Sequence, residues 1–223
     1  VCSSDLVGGA REFSDGPARL LLRGVLRDRG NLEIAAGERV LVAGGSGDGK
    51  SALLELCFGA QRPAQGQVEL DGVDLRMADL PALRDQIALV RPGDLFHASI
   101  LDNLRLAAPQ VPLATLRVAL SLVDLGDAIA ALPAGLDTPL LATGAPLSGA
   151  QARRLVLARA LAAQPRLLLL DGVLDGLMLP PDKHEALLEH IFAADAPWTV
   201  LLVSDDPRAQ ARCRRVVDLS PRT

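Results

Sequence analysis

Eight residues, Gly44-Gly45-Ser46-Gly47-Asp48-Gly49-Lys50-Ser51, narrow the choice of fold more than any other part of the chain. They lie between "RVLVAG", which reads as a strand, and "KSALLELCFG", which carries a helical apolar spacing and stops at Gly59. Glycines between a strand and a helix let the backbone wrap closely around phosphate oxygens with its N–H groups turned inward. The helix that follows presents the positive end of its dipole to the same anion. The spacing matches the P-loop pattern. In that pattern Lys50 supplies a mobile positive charge to terminal phosphates, and the Ser51 hydroxyl can ligate Mg²⁺. Asp48 is the odd member, because an acid inside the cradle lowers affinity unless its side chain turns to solvent.

The rest of the chain alternates strands with helices. "GNLEI" reads as a short strand through Leu32 and Ile34, and "AAGE" as a turn. "GQVELDGVDL" reads as a hairpin-like pair with Asp71-Gly72 at its turn. "QIALV" is a buried-strand candidate. From about residue 98 to 163 the pattern is helical, through "SILDNLRLA", "LATLRVALSLVDLG", "AIAAL" and "SGAQARRLVLARALAAQ". "RLLLLD" returns to a strand, "KHEALLEHIFAA" is a helix, and "WTVLLVS" is the last apolar strand. Strand–helix alternation at both ends of a helical insert predicts an α/β fold, a mostly parallel sheet flanked by helices. Residues 1–15 carry no core pattern and form an uncertain N-terminal segment. One domain is expected over 16–223, with a helical subdomain at about 98–147 inserted in its core.

Composition removes several classes of function. The net charge is −4 and there is no long basic run, so nucleic acid is disfavoured as a main ligand. The Arg-rich "RAQARCRR" reads as a solvated helix face. Three cysteines, Cys2, Cys57 and Cys213, form no CxxC pair and fit a reducing compartment. His97, His184 and His190 lack metal-ligand spacing. The leucine runs at 20–22 and 167–170 are strand-sized, far below the roughly 20 apolar residues a membrane helix needs. No secretory signal is visible. With aromatics at 2% and no Tyr, the core must be filled by Leu, Val, Ala and Ile.

Asp171 follows four leucines and so ends a buried strand at its carboxyl end, where ligands bind in open α/β sheets. Together with the P-loop it completes a magnesium site made of Ser51 and Asp171. Further along the chain, Leu147-Ser148-Gly149-Ala150-Gln151 resembles the LSGGQ signature of ATP-binding-cassette (ABC) proteins, and "ARRLVLARAL" resembles the helix that accompanies it. The resemblance runs from about residue 25 to 219 in the family's order of motifs. "LFHASILDNL" and "GLDTPLLATGAPLSG" resemble segments of exporter-type cassettes. It implies a P-loop NTPase core, an N-terminal antiparallel β subdomain and a helical subdomain bearing the signature. It also implies ATP and Mg²⁺ as cofactors, and a head-to-tail dimer in which Ser148, Gly149 and the helix behind them cap ATP held by a second nucleotide-binding domain. Transmembrane domains, on a separate subunit or in the same polypeptide, would complete a transporter and hold this domain at the cytoplasmic face of the membrane.

Several positions depart from the family pattern. Gly172 stands where a glutamate polarises the attacking water. Asp205 stands where a switch histidine senses the γ-phosphate, and an anion there repels a triphosphate. "RPGD" puts Pro92 near the usual Q-loop glutamine. Asp175 replaces the D-loop serine, as a turn residue before Gly176 or as a weak surrogate base, and Met178 replaces the D-loop aspartate. The adenine-stacking aromatic has no clear counterpart. The "EFSD" register suggests Asp15 for that place, with Phe13 turned inward. Groups that hold Mg-ATP are kept while groups that fire the chemistry are gone, so no catalytic residue is intact. The expectation is a transporter nucleotide-binding domain with reduced hydrolysis, suited to a heterodimer. The alternatives are an ATP-binding regulatory module without turnover, and a soluble non-transport ABC protein acting on DNA or ribosomes.

Overall fold

A computed structural model describes residues 15–26, 30–106 and 108–221. Phe13 and Cys2 lie outside the described residues. Two sheets form the frame. The first is antiparallel, in the order β2 (Gly30–Ile34), β1 (Leu20–Leu26), β4 (Gln67–Leu70), β5 (Val73–Asp74). The second is wholly parallel, in the order β6 (Ile87–Val90), β7 (Leu167–Asp171), β8 (Thr199–Val203), β3 (Arg39–Ala43), β9 (Arg215–Asp218). The helices are α1 (Lys50–Phe58), α2 (Leu80–Arg84), α3 (Ile100–Arg105), α4 (Leu113–Leu122), α5 (Gly126–Ala130), α6 (Gly149–Ala163), α7 (Pro181–Phe192) and α8 (Pro207–Gln210). No helix among the described residues is long and apolar enough to cross a membrane.

The four-leucine run of β7 explains how the layers are joined. Successive side chains of a strand point to opposite faces. Leu167 and Leu169 enter a core shared by the antiparallel sheet and α1, together with Leu20, Ile34 and Leu54. Leu168 and Leu170 enter a second core under α4, α6 and α7, together with Leu116, Leu155 and Leu188. All four leucines are fully buried. A strand covered on both faces needs an unbroken apolar run, which is why "LLLL" shows no alternation. Neither core holds a tyrosine, and Trp198 is the largest buried side chain, its Nε1 donating to the Ile191 carbonyl at 2.9 Å.

Three sequence expectations need correction. The Arg-rich segment is not one helix face. Asp206 caps α8 by accepting from Arg208 N at 3.0 Å, the helix stops at Gln210, and Arg215 already belongs to β9. Val216 and Val217 pair with Leu41 and Val42 there, and β-branched residues suit such an edge. "WTVLLVS" is therefore not the last strand. Asp15 is exposed beside Gly16, whose carbonyl accepts from the Arg166 side chain just ahead of β7. That is the amino-terminal end of the parallel strands, whereas the glycine loop leaves the carboxyl end of β3, so Asp15 is not placed to cover the loop.

Burial also fixes the path of the chain leaving β6. Asn103 in α3 is 2% exposed. Its Oδ1 accepts from Phe96 N at 2.9 Å, and its Nδ2 donates to the Phe96 and Ser99 carbonyls, both at 3.0 Å. Asn103→Ala strands these backbone groups and is expected to cost about 2 kcal/mol, read as a lower urea midpoint with an unchanged slope. A midpoint equal to that of the unsubstituted chain would show that the Asn103 bonds do not hold the segment.

Candidate functional site

The glycine loop leaves β3 and runs into α1. Gly47 and Gly49 have φ of +89° and +86°, backbone that L side chains rarely adopt. Neither is crowded by side chains, so at these two positions the loop presents bare backbone. Lys50 Nζ donates to the carbonyls of Gly44 at 2.7 Å and Gly45 at 2.6 Å, which folds the ammonium back over the loop. Asp48 is half-buried and does not point away. Its Oδ2 accepts from Gly45 N at 2.5 Å, so one N–H of the cradle is already engaged by a carboxylate.

Asp171 ends β7 one strand away from β3, with β8 between them. Ser51 Oγ donates to Asp171 Oδ1 at 3.1 Å, which brings two hard oxygen donors together at the loop. That chemistry suits magnesium, which favours carboxylate, hydroxyl and phosphate oxygens. The other carboxylate oxygen, Oδ2, lies 3.3 Å from Arg91 Nε. Arg91 follows β6 directly, and its Nη2 donates to Glu55 Oε1 of α1 at 2.7 Å. Where the family pattern sets a glutamine, "RPGD" places Pro92, and the side chain that reaches Asp171 is the arginine before it. The available signal was a cation at the carboxyl end of β6, the edge strand next to β7.

Past Asp171 the backbone turns at Gly172, φ +66°, whose N–H donates to the Val203 carbonyl at 2.8 Å. Arg153 of α6 ties the turn down by donating to the Asp175 carbonyl at 3.0 Å. The Asp175 side chain is anchored through one carboxylate oxygen. Its Oδ1 accepts from Ser204 Oγ at 2.6 Å, Asp205 N at 3.1 Å and Asp206 N at 3.2 Å, so it clamps the loop after β8. Asp175, Met178, His184, Asp205 and Asp206 line a cleft of about 360 Å³. His184 Nε2 sits 3.0 Å from Asp206 Oδ2, and Met178 is 83% exposed.

Ser148 and Gly149 are exposed, while Leu147 is buried as an anchor and Ala150 and Gln151 are half-buried. Ser148 Oγ accepts from Gln151 N at 3.3 Å, and Gln151 Oε1 accepts from Ser148 N at 2.9 Å. This capping box satisfies both ends within α6. The α6 N-terminus therefore makes its polar contacts within its own first turn and keeps its outer surface open. Cys57 and Cys213 play no part. Burial pushes the Cys57 thiol up to about 12 and that of Cys213 up to about 11, so neither ionises near neutral pH.

Comparison with known proteins gives a consistent picture. A family model described as ABC transporter matches residues 28–174. The ATP-dependent lipid A-core flippase of Burkholderia orbicola is 36% identical over 197 residues, 82% of this chain and 33% of that protein. The alpha-hemolysin translocation ATP-binding protein HlyB of Escherichia coli is 38% identical over 154 residues, 69% of this chain and 22% of that protein. A solved structure of a bacterial Atm1-family ABC exporter with ATP bound superposes with a TM-score of 0.80 at 26% identity, covering 95% of this chain and 38% of that one. The chain spans about a third or less of the length of these relatives. The family match runs unbroken from ahead of β2 through the glycine loop and the α6 signature to Leu174, and on that ground the chain belongs to the ABC transporter family, as a nucleotide-binding domain of the exporter kind.

Proposed function

We propose that this domain binds Mg-ATP on Gly44–Ser51 and Asp171, and that it drives transport by closing against a second nucleotide-binding domain. The family is one of ATPases. The observation that carries the reading is the pairing of Ser51 with Asp171 at 3.1 Å directly beneath the loop. It joins the element that holds phosphate to the one that holds a cation. Magnesium, when bound, neutralises charge on the terminal phosphates. Ser51 and Asp171 would hold it, Lys50 would orient the phosphate tail, and the loop N–H groups would bind its oxygens.

The exposed Ser148 and Gly149 at the start of α6 support a role in trans, capping a partner's nucleotide through the helix terminus. The division we propose is residues 16–223 as the ATP-binding domain, with the helical part at about 98–147 inserted in it. Its membrane domains, on another subunit or the same polypeptide, would keep it at the cytoplasmic face. Hydrolysis by the chain alone would be weak, since Gly172 supplies no base and Asp205 brings an anion to the place of the family's histidine. A heterodimer is favoured for that reason.

Titration with a fluorescent ATP analogue in the presence of magnesium tests the reading, and saturable binding is the expected result. A signal that never saturates ends it. Asp48 allows a second measurement. Asp48→Ala frees the Gly45 N–H and removes a negative charge from the cradle. Affinity for the analogue is expected to rise about three- to tenfold, the effect of one partly screened charge at close range. Unchanged or weaker binding would mean that Asp48 serves to shape the loop.

A further inference from the structure

Arg91 brings a fixed positive charge to Asp171, the residue proposed to hold a cation. Its guanidinium lies between two carboxylates, with Nη2 on Glu55 Oε1 at 2.7 Å and Nε 3.3 Å from Asp171 Oδ2. The second contact is one of charge, because Nε is not aligned to donate a hydrogen bond. It uses the oxygen of Asp171 that Ser51 leaves open, Ser51 being bonded to Oδ1. Pro92 follows at once, and a proline restricts the backbone of the residue before it. The arginine stem is thus held where β6 ends, and its side chain is only 29% exposed.

The charges set the consequence. Asp171 and Glu55 without Arg91 present a net −2 beside the glycine loop, and with it a net −1. A triphosphate approaching a bare carboxylate needs a cation between them, which is the ordinary task of magnesium. Here a guanidinium already offsets part of that repulsion. It also makes Asp171 a poorer ligand for a hard dication, because a positive charge already sits on the oxygen that Ser51 leaves open. Arginine keeps its charge at all physiological pH values and cannot leave the site.

We propose that Arg91 is a built-in cation of the nucleotide site, which loosens the dependence of ATP binding on magnesium. The proposal rests on the reading of Gly44–Ser51 and Asp171 as a nucleotide site. It makes the chain a nucleotide holder whose occupancy follows the ATP concentration more than the divalent metal concentration.

The test is the affinity for methylanthraniloyl-ATP, measured with excess magnesium and again with EDTA, on the full chain and two variants. For the unsubstituted chain, chelation is expected to weaken binding by no more than about threefold, and for Arg91→Gln by about tenfold or more. The glutamine amide ends near the place of the arginine Nε, so the Glu55 contact is given up with the charge, and a matching circular dichroism spectrum and melting point check that the fold is kept. Arg91→Lys retains the charge and is expected to stay near the unsubstituted ratio. A tenfold loss on chelation in the unsubstituted chain overturns the proposal, as does an equal magnesium dependence in Arg91→Gln. Either result leaves the nucleotide site itself standing. Absence of binding under both conditions removes the site and the proposal together.

Discussion

Lys50→Ala is expected to weaken binding of a fluorescent ATP analogue by about 10- to 100-fold while leaving the melting point almost unchanged. The ammonium makes two hydrogen bonds to the loop, with the Gly44 and Gly45 carbonyls. On binding it would exchange these for charge-assisted bonds to phosphate oxygens. Such bonds contribute about 1.5–3 kcal/mol each, and the loop bonds given up offset part of that. A net loss of about 1.4–2.8 kcal/mol corresponds to the stated range. Stability is spared because Gly45 is exposed and Gly44 only half-buried, so water replaces the ammonium at their carbonyls. Lys183→Ala is the control. Lys183 is an exposed cation of the same type on α7, and its loss leaves any specific phosphate contact in place. Equal binding by Lys50→Ala and the unsubstituted chain would show that the ligand is not held at the glycine loop.

The glycine loop and its neighbours were legible in the sequence because each carries a strong local signal. A strand, a turn that needs positive φ at Gly47 and Gly49, and a helix ending at Gly59 can be read without tertiary knowledge. The unbroken leucines of β7 point to a strand covered on both faces, and the two separate cores show both coverings. The Asp71-Gly72 hairpin was likewise set by its turn, with Asp71 at φ 51°. What escaped notice depends on contacts far apart along the chain. β9 is four residues long with largely exposed side chains, and only its pairing with β3 defines it. Arg91 lies 36 residues from Glu55 and 80 from Asp171, so no window of sequence contains the cluster. The role of Asp175 is of the same kind. Turn statistics describe its backbone, but the three donors that occupy its carboxylate come from the loop after β8.

Phosphate release by the isolated chain is expected to run about 10²–10⁴-fold below that of an exporter-type cassette carrying a glutamate and a histidine, the range that a general base contributes. Gly172 has no side chain to hold water. On the proposed reading, Asp205 adds a negative charge at the place of the γ-phosphate-sensing histidine. Asp175 is held by three hydrogen bonds that its release would leave unmade. Adding a glutamate alone is not expected to restore turnover. The backbone at position 172 has φ +66°, which costs an L residue about 1–2 kcal/mol, and Asp205 remains. Mixing with a partner cassette that owns both groups is expected to bring turnover back, because Ser148 and Gly149 of this chain would then cap the partner's complete site. Ser148→Arg should abolish that stimulation. The substitution also removes the cap of α6, at about 1 kcal/mol, so Ser148→Ala is the necessary comparison. It loses the same cap but adds no bulk or charge. If Ser148→Ala stimulates and Ser148→Arg does not, the effect lies at the contact between domains rather than in the stability of the helix. Turnover at an ordinary transporter rate by the chain alone would show that the missing groups are not needed. ATP-dependent association without phosphate release in any pairing would instead mark the domain as a regulatory holder of nucleotide. Release from the mixture with the alanine variant, and none with the arginine variant, is the one pattern that requires an incomplete site on this chain and a working signature on the same molecule.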